Sequence, residues 1–171
     1  MPKSALSLLV LAVLTAGVSG CCQMQSRTLA ENKAVVLRSE RELWSKGDLA
    51  VANDLYSPDF VCHFVVGPEW KGITGIKDEV ASHRRSFPDW HEKVEDIVAE
   101  GDEVVIRFTS TGTQLGEFQG MAPSGRKVKI QEMAIFRLSH GKIVEQWGMP
   151  NIHGLLAQLR GPGLPGRQTS E

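Results

Sequence analysis

Glu132 and His63 are the two side chains whose sequence surroundings best suit proton transfer. Glu132 alternates with Ile130, Ala134 and Phe136, so the two-residue period of a strand puts it on an apolar, inward side. A carboxyl buried there would titrate above its usual range and could act as a general base. The position equally suits a salt bridge to a sheet neighbour, with Arg107 as the available cation. His63 shares a strand face with Val61 and Val65, which fits either a pocket histidine or a core or rim histidine satisfied by its neighbours. His91 falls where the strand pattern is ambiguous, and Asp89 after Pro88 reads as a helix-end or turn acceptor rather than a catalyst. Asn151, just past the last strand, offers a carboxamide that donates and accepts hydrogen bonds but does not titrate usefully.

Apolar side chains complete the candidate site. Phe60, Phe108 and Phe136 read as core residues that can also touch a ligand, and Trp147 as a pocket wall or as core packing. His83 and His153 are expected at the solvent or at a helix interface. Cys62 and His63 are adjacent in a strand and point to opposite faces, and no Cys/His spacing matches a zinc site, so no metal is expected. The chain has three cysteines, too few for a disulfide framework, and Cys62 reads as an inert buried thiol.

The elements that must carry these residues are legible from period and punctuation. Glu103–Thr113, Arg126–Leu138 and Lys142–Met149 are rich in β-branched and aromatic residues and read as three long strands, with His140-Gly141 as a tight hairpin turn. Upstream, Thr28 and Glu31 form a capping-box pattern before a helix whose apolar pairs Leu29/Ala30, Val36/Leu37 and Leu43/Trp44 recur every seven residues, closed by Lys46-Gly47. Asp48 caps a short second helix that Pro58 ends; Phe60–Val66 reads as a buried strand; Ile73–Phe87 reads as a third helix with Thr74 as its cap. Pro88 stops that helix and launches a strand from Trp90 to Ala99. Helices first and antiparallel strands afterwards predict an α+β layer in which a curved antiparallel sheet wraps around the N-terminal helices and leaves a cone-shaped cavity for an apolar small molecule.

Length and charge bound the rest. The 171 residues predict one domain with a core of its own, and a formal charge of −1 excludes a nucleic-acid footprint. Residues 1–20 have the form of a signal peptide: Lys3 precedes the apolar run Ala5–Val18, too short to span a bilayer. Val18-Ser19-Gly20-Cys21 resembles a bacterial lipobox, which makes Cys21 the lipidated mature N-terminus, residues 21–28 a tether, and the cell envelope the expected location. Residues 29–160 form the domain, and residues 161–171, with Pro162 and Pro165 among glycines, read as a disordered tail.

Several motifs carry a family resemblance. Asp59-Phe60-Val61-x-His63, Phe87-Pro88-Asp89, Asp96-Ile97-Val98-Ala99-Glu100-Gly101-Asp102, Gly112-Thr113-x-x-Gly116-Glu117-Phe118 and Gly141-Lys142-Ile143-Val144-Glu145-x-Trp147 resemble the SnoaL-like polyketide cyclases, also labelled ester cyclases, in order over residues 32–160. The resemblance implies the nuclear-transport-factor-two-like cone-shaped α+β barrel, usually a homodimer packed through the open sheet face. It also implies intramolecular aldol cyclisation without metal, cofactor or covalent intermediate. The family's acid/base is an Asp four residues after the Trp of the last strand, where this chain has Asn151, and the family's common His in the Gly-Thr-x segment is Gln114 here. Two functions therefore remain open. One is a lipid-anchored cyclase or isomerase acting on an apolar carbonyl compound through His63 or Glu132; the other is a binding module that kept the pocket and lost the acid/base.

Overall fold

The computed structural model describes residues 24–64 and 69–161. The leader, the lipobox with Cys21, Val65, and the tail from residue 162 lie outside the described residues. The first helix, α1, covers residues 24–38 and runs on into a π-helical turn, Ser39–Trp44. It is already helical at residue 24, so Thr28 is not its cap; the Thr28 hydroxyl donates back to the Met24 carbonyl at 3.1 Å, and Glu31 pairs with Arg27 at 2.9 Å. A helical threonine commonly makes this backward bond. The π turn buries Ser39, Glu40, Leu43 and Trp44 together, and Ser39 hydrogen-bonds the buried Tyr56 hydroxyl at 2.7 Å.

Asp48 caps the next turn as expected, accepting from the Ala50 amide at 3.0 Å. A 3-10 turn, Leu49–Val51, leads into α2, Ala52–Leu55, and then into β1, Tyr56–Phe64. Pro58 does not end the helix. It lies inside β1, where the register against the neighbouring strand breaks between Tyr56 and Val61 and a missing N–H is tolerated. After the two-residue strand β2, Trp70–Lys71, helix α3 spans Gly72–Ser86; Thr74 is within its first turn, and the capping position, Lys71, makes no side-chain cap. The strands β3 (His91–Glu100), β4 (Glu103–Thr113), β5 (Lys127–Ser139) and β6 (Lys142–Met149) follow, and α4, Ile152–Arg160, ends the described fold. His140 and Gly141 have φ of 51° and 74°, the paired positive values of a tight hairpin turn.

The expected cone-shaped barrel is corrected by the strand order. The six strands lie as β2-β1-β6-β5-β4-β3, so β2 and β3 are free edges and the sheet is open rather than closed on itself. Nor is it wholly antiparallel: β1 pairs parallel with β6, a pairing that needs a long connection, supplied here by α3 and the β3–β5 meander. The α+β class stands. Helices α1 to α3 pack on one sheet face around Val36, Leu43, Leu55, Val80, Ile106 and Phe136, while a smaller cluster of Phe87, Trp90, Val128, Ile130, Leu155 and Leu159 sits under α4.

One side chain joins the end of the first helix to the start of β3. Arg84 donates from Nη1 to the carbonyls of Trp44 (3.0 Å), Ser45 (2.9 Å) and Trp90 (3.1 Å), and from Nη2 to Pro88 (2.7 Å). Gly47, at φ 73°, lets it through, since a Cβ there would collide with the guanidinium. Replacing Arg84 by Met, similar in reach but without donors, is expected to cost about 2–4 kcal/mol in denaturant unfolding, because the carbonyls lose charge-assisted bonds.

Candidate functional site

A cavity of about 330 Å³ lies between the two apolar clusters. Sheet register builds its floor. Glu92 on β3 stands opposite Ser110 on β4, Phe108 opposite Glu132 on β5, and Phe136 opposite Gln146 on β6, so alternate residues of four strands share one face. Glu40 enters from the π turn, and Glu79 and His83 enter from α3. Trp44, Trp70, Trp90 and Phe118 complete much of the wall.

Glu132, Phe108 and Phe136 therefore line the cavity, as their strand pattern predicts. Glu132 does not pair with Arg107, which points to the other face and binds Asp96 at 2.5 Å. Its Oε1 accepts instead from the Ser110 hydroxyl at 2.5 Å. Burial, reinforced by the charge of Glu92 and only partly offset by Ser110, pushes the Glu132 carboxyl up to about 7.

Four other candidates lie elsewhere. His63 and Trp147 face each other across the parallel β1–β6 pair, stacked 5.2 Å apart on the opposite side of the sheet. There His63 meets Glu69 at 3.1 Å and Glu145 at 3.3 Å, while Arg137 lies 4.9 Å over the Trp147 ring and binds Glu145 and Glu103. Parity explains both displacements, since Cys62 on β1 and Gln146 and Gly148 on β6 are the inward residues. His91 is exposed beside inward Glu92 for the same reason. Phe60 is fully buried against Tyr56, rings 4.7 Å apart, and belongs to the core rather than the cavity wall.

Asn151 is an exposed helix cap. Its Oδ1 accepts from the Gly154 amide at 2.9 Å, which turns the carboxamide onto α4 while its neighbours Pro150 and Ile152 line the cavity. Gln114 is buried and ties a loop, donating to Met121 and Ala122 carbonyls at 3.2 and 3.3 Å and accepting from Ser124 at 2.6 Å. Asp89 is an acceptor, but for a distant partner rather than its own turn: it takes the Thr113 amide and hydroxyl at the end of β4 at 2.6 and 2.7 Å.

Sequence reasoning missed Glu40, Glu92 and His83, although each carried a signal. Glu40 is four residues after Val36 and three before Leu43; Glu92 alternates with Trp90 and Val94; His83 follows Ile76 and Val80 on the inward stripe of α3. Glu40 is 3% exposed and is raised by burial, and Glu92 is raised further by burial and by Glu40 beside it. Glu92 Oε1 takes the Trp90 indole N–H at 2.9 Å. His83 packs edge-on to Trp90 at 4.3 Å, and burial, helped by the charge of Arg84, pulls its imidazole down to about 4. It is thus neutral around pH 7.

The fold is of α+β type, and comparison with known proteins names its family. The family model of the SnoaL-like polyketide cyclases matches residues 34–159, and the chain belongs to that family. A candidate SnoaL-like polyketide cyclase from Jannaschia sp. CCS1 is similar at 28% identity and TM-score 0.73, over 78% of this chain and 94% of that one. A candidate hydroxylase, AclR, from Streptomyces galilaeus is 33% identical with TM-score 0.69, over 80% and 86%. A candidate polyketide cyclase, IdmH, from Streptomyces antibioticus is 29% identical with TM-score 0.67, over 76% and 99%. No curated protein matches.

The raised Glu132 carboxyl has a stability signature. The folded state keeps, up to about 7, a proton that the unfolded chain gives up near 4.5, so this contribution is present below 4.5 and is lost as pH rises through 7. Glu132→Gln mimics the protonated form. It is expected to exceed wild type in stability by on the order of 1–3 kcal/mol near pH 8, with the gap closing toward pH 4.5, in urea titrations across pH. The His83 contribution runs the other way, lost as pH falls from 6.5 toward 4, and cancels between the two proteins.

Proposed function

We propose that this chain binds a small, largely apolar carbonyl compound in the cavity and moves a proton on it, as a cofactor-independent catalyst of the cyclase or isomerase type. The observation that carries this reading is Glu132: a carboxyl held by Ser110, facing an apolar cavity, and poised near neutrality. Its carboxylate would take the proton from a carbon next to the carbonyl. The electron pair left behind moves into the carbonyl as an enolate, and the Glu132 carboxyl returns the proton after the new bond forms or the double bond shifts. General bases work best when their pKa lies close to the working pH, and this environment supplies that match.

β-Tetralone tests it without knowledge of the natural substrate. Wild type is expected to speed deuterium incorporation at the benzylic carbon, with a rate rising through about pH 7, and Glu132→Gln to lower that rate roughly 10²–10⁴-fold. Asn151→Asp, which keeps a capping side chain, is expected to leave the rate unchanged. Exchange no faster in wild type than in Glu132→Gln would sink the catalytic reading and leave a binding protein.

The lipobox-like Val18-Ser19-Gly20-Cys21 supports a lipid anchor at the bacterial cell envelope. Cys21→Ser is expected to move the protein from the membrane to the soluble envelope fraction, measured by fractionation and by mass of the N-terminal peptide. Exposed Met133 and Ile135 on the outer sheet face support a homodimer through that face.

A further inference from the structure

Among the described residues, three buried side-chain polar atoms lack a hydrogen-bond partner, and all three belong to residues that line the cavity: His83 Nε2, Glu92 Oε2 and Gln146 Oε1. Folded interiors leave few such atoms unpaired, so three on one wall indicate what an occupant must bring. Gln146 is 6% exposed, and its amide oxygen can only accept. Glu92 shares a hydrogen bond with Glu40 and becomes an acceptor once its proton leaves, and the neutral His83 ring offers one nitrogen as an acceptor. The occupant therefore supplies hydrogen-bond donors.

Charge narrows the class. Among the described residues four glutamates from four elements line the cavity, Glu40, Glu79, Glu92 and Glu132, and no Lys or Arg does. Arg84 lies behind the wall with its guanidinium committed to four carbonyls. The walls near these carboxyls are indoles: Trp44 lies 6.2 Å from Trp70, and both Trp44 and Trp90 contact His83. Indole faces attract cations, most strongly where water is excluded. A metal ion fits poorly, because no three His, Cys, Asp or Glu side chains among the described residues converge as ligands.

We propose that the cavity takes an organic cation, a protonated amine on an aromatic or apolar body, with its ammonium group donating to Glu40, Glu92 and Gln146 beside the Trp44 and Trp90 indoles. This rests on the cavity being the ligand site, as above, and adds an ammonium group to the largely apolar carbonyl compound proposed there. A bound cation favours the ionised carboxylate, so binding expels protons that burial keeps on Glu40, Glu92 and Glu132. Glu79 is raised by burial in the same sense, and His83 stays neutral.

Calorimetry with tryptamine and its neutral alcohol analogue, tryptophol, tests the proposal on the intact protein. Tryptamine is expected to bind about tenfold or more tighter, with a preference that grows from about pH 6 to about pH 8 and an enthalpy that varies with buffer because protons leave. Glu40→Gln should bring the two probes within about twofold of one another, and Glu92→Gln serves the same purpose if the first variant does not fold. Equal affinity for the two probes near pH 8, or no tryptamine binding at all, overturns the proposal. Exchange in β-tetralone uses neither probe, so each reading can fail while the other stands.

Discussion

The site depends on one guanidinium. Arg84 gathers carbonyls from the end of the first helix and from the α3–β3 turn, and in doing so sets Trp44 and Trp90 around His83. Backbone carbonyls brought this close need donors, and the planar guanidinium reaches four of them from two of its nitrogens. Gly47 gives it passage, so a helix-ending glycine also shapes the cavity wall. The charge of Arg84 lies behind His83 and helps keep that ring neutral, so a structural clamp also sets the protonation of a cavity residue.

Burying carboxyls in an apolar cavity opposes stability, and the fold spends few compensating bonds on them. Trp90 donates to Glu92 and Ser110 to Glu132, and beyond these Glu92 shares a hydrogen bond only with the equally buried Glu40. Carboxyls in that condition hold their protons into the neutral range, which is unhelpful for folding and useful for chemistry or for binding a cation. The outer face of the same sheet shows the opposite regime. There Arg137 binds Glu103 and Glu145 and covers Trp147, and His63 is flanked by two glutamates, so each charge has a partner and solvent nearby.

Much of the scaffold was legible along the chain. The three long strands, the His140-Gly141 turn, the Asp48 cap and the strand after Pro88 follow from local rules: period two, positive φ, and a side chain that bonds its own backbone. Glu132, Phe108 and Phe136 were legible for the same reason. The misplacements were errors of face. His63 reads as a pocket or a satisfied rim histidine and takes the rim, and Trp147 reads as a pocket wall or core yet faces outward, because a strand with apolar residues on both sides does not declare which side meets the helices.

By itself, then, the sequence determined the elements, the α+β class and the family, because these depend on neighbours a few residues apart and on motifs read in order. Only the tertiary structure decided that the sheet stays open, that β1 runs parallel to β6, and that Asn151 caps a helix. It also brought Glu40, Glu92 and Glu132 from three distant segments onto one cavity. The reason is physical: a carboxyl becomes unusual only through what surrounds it, and those surroundings come from residues far away in the chain.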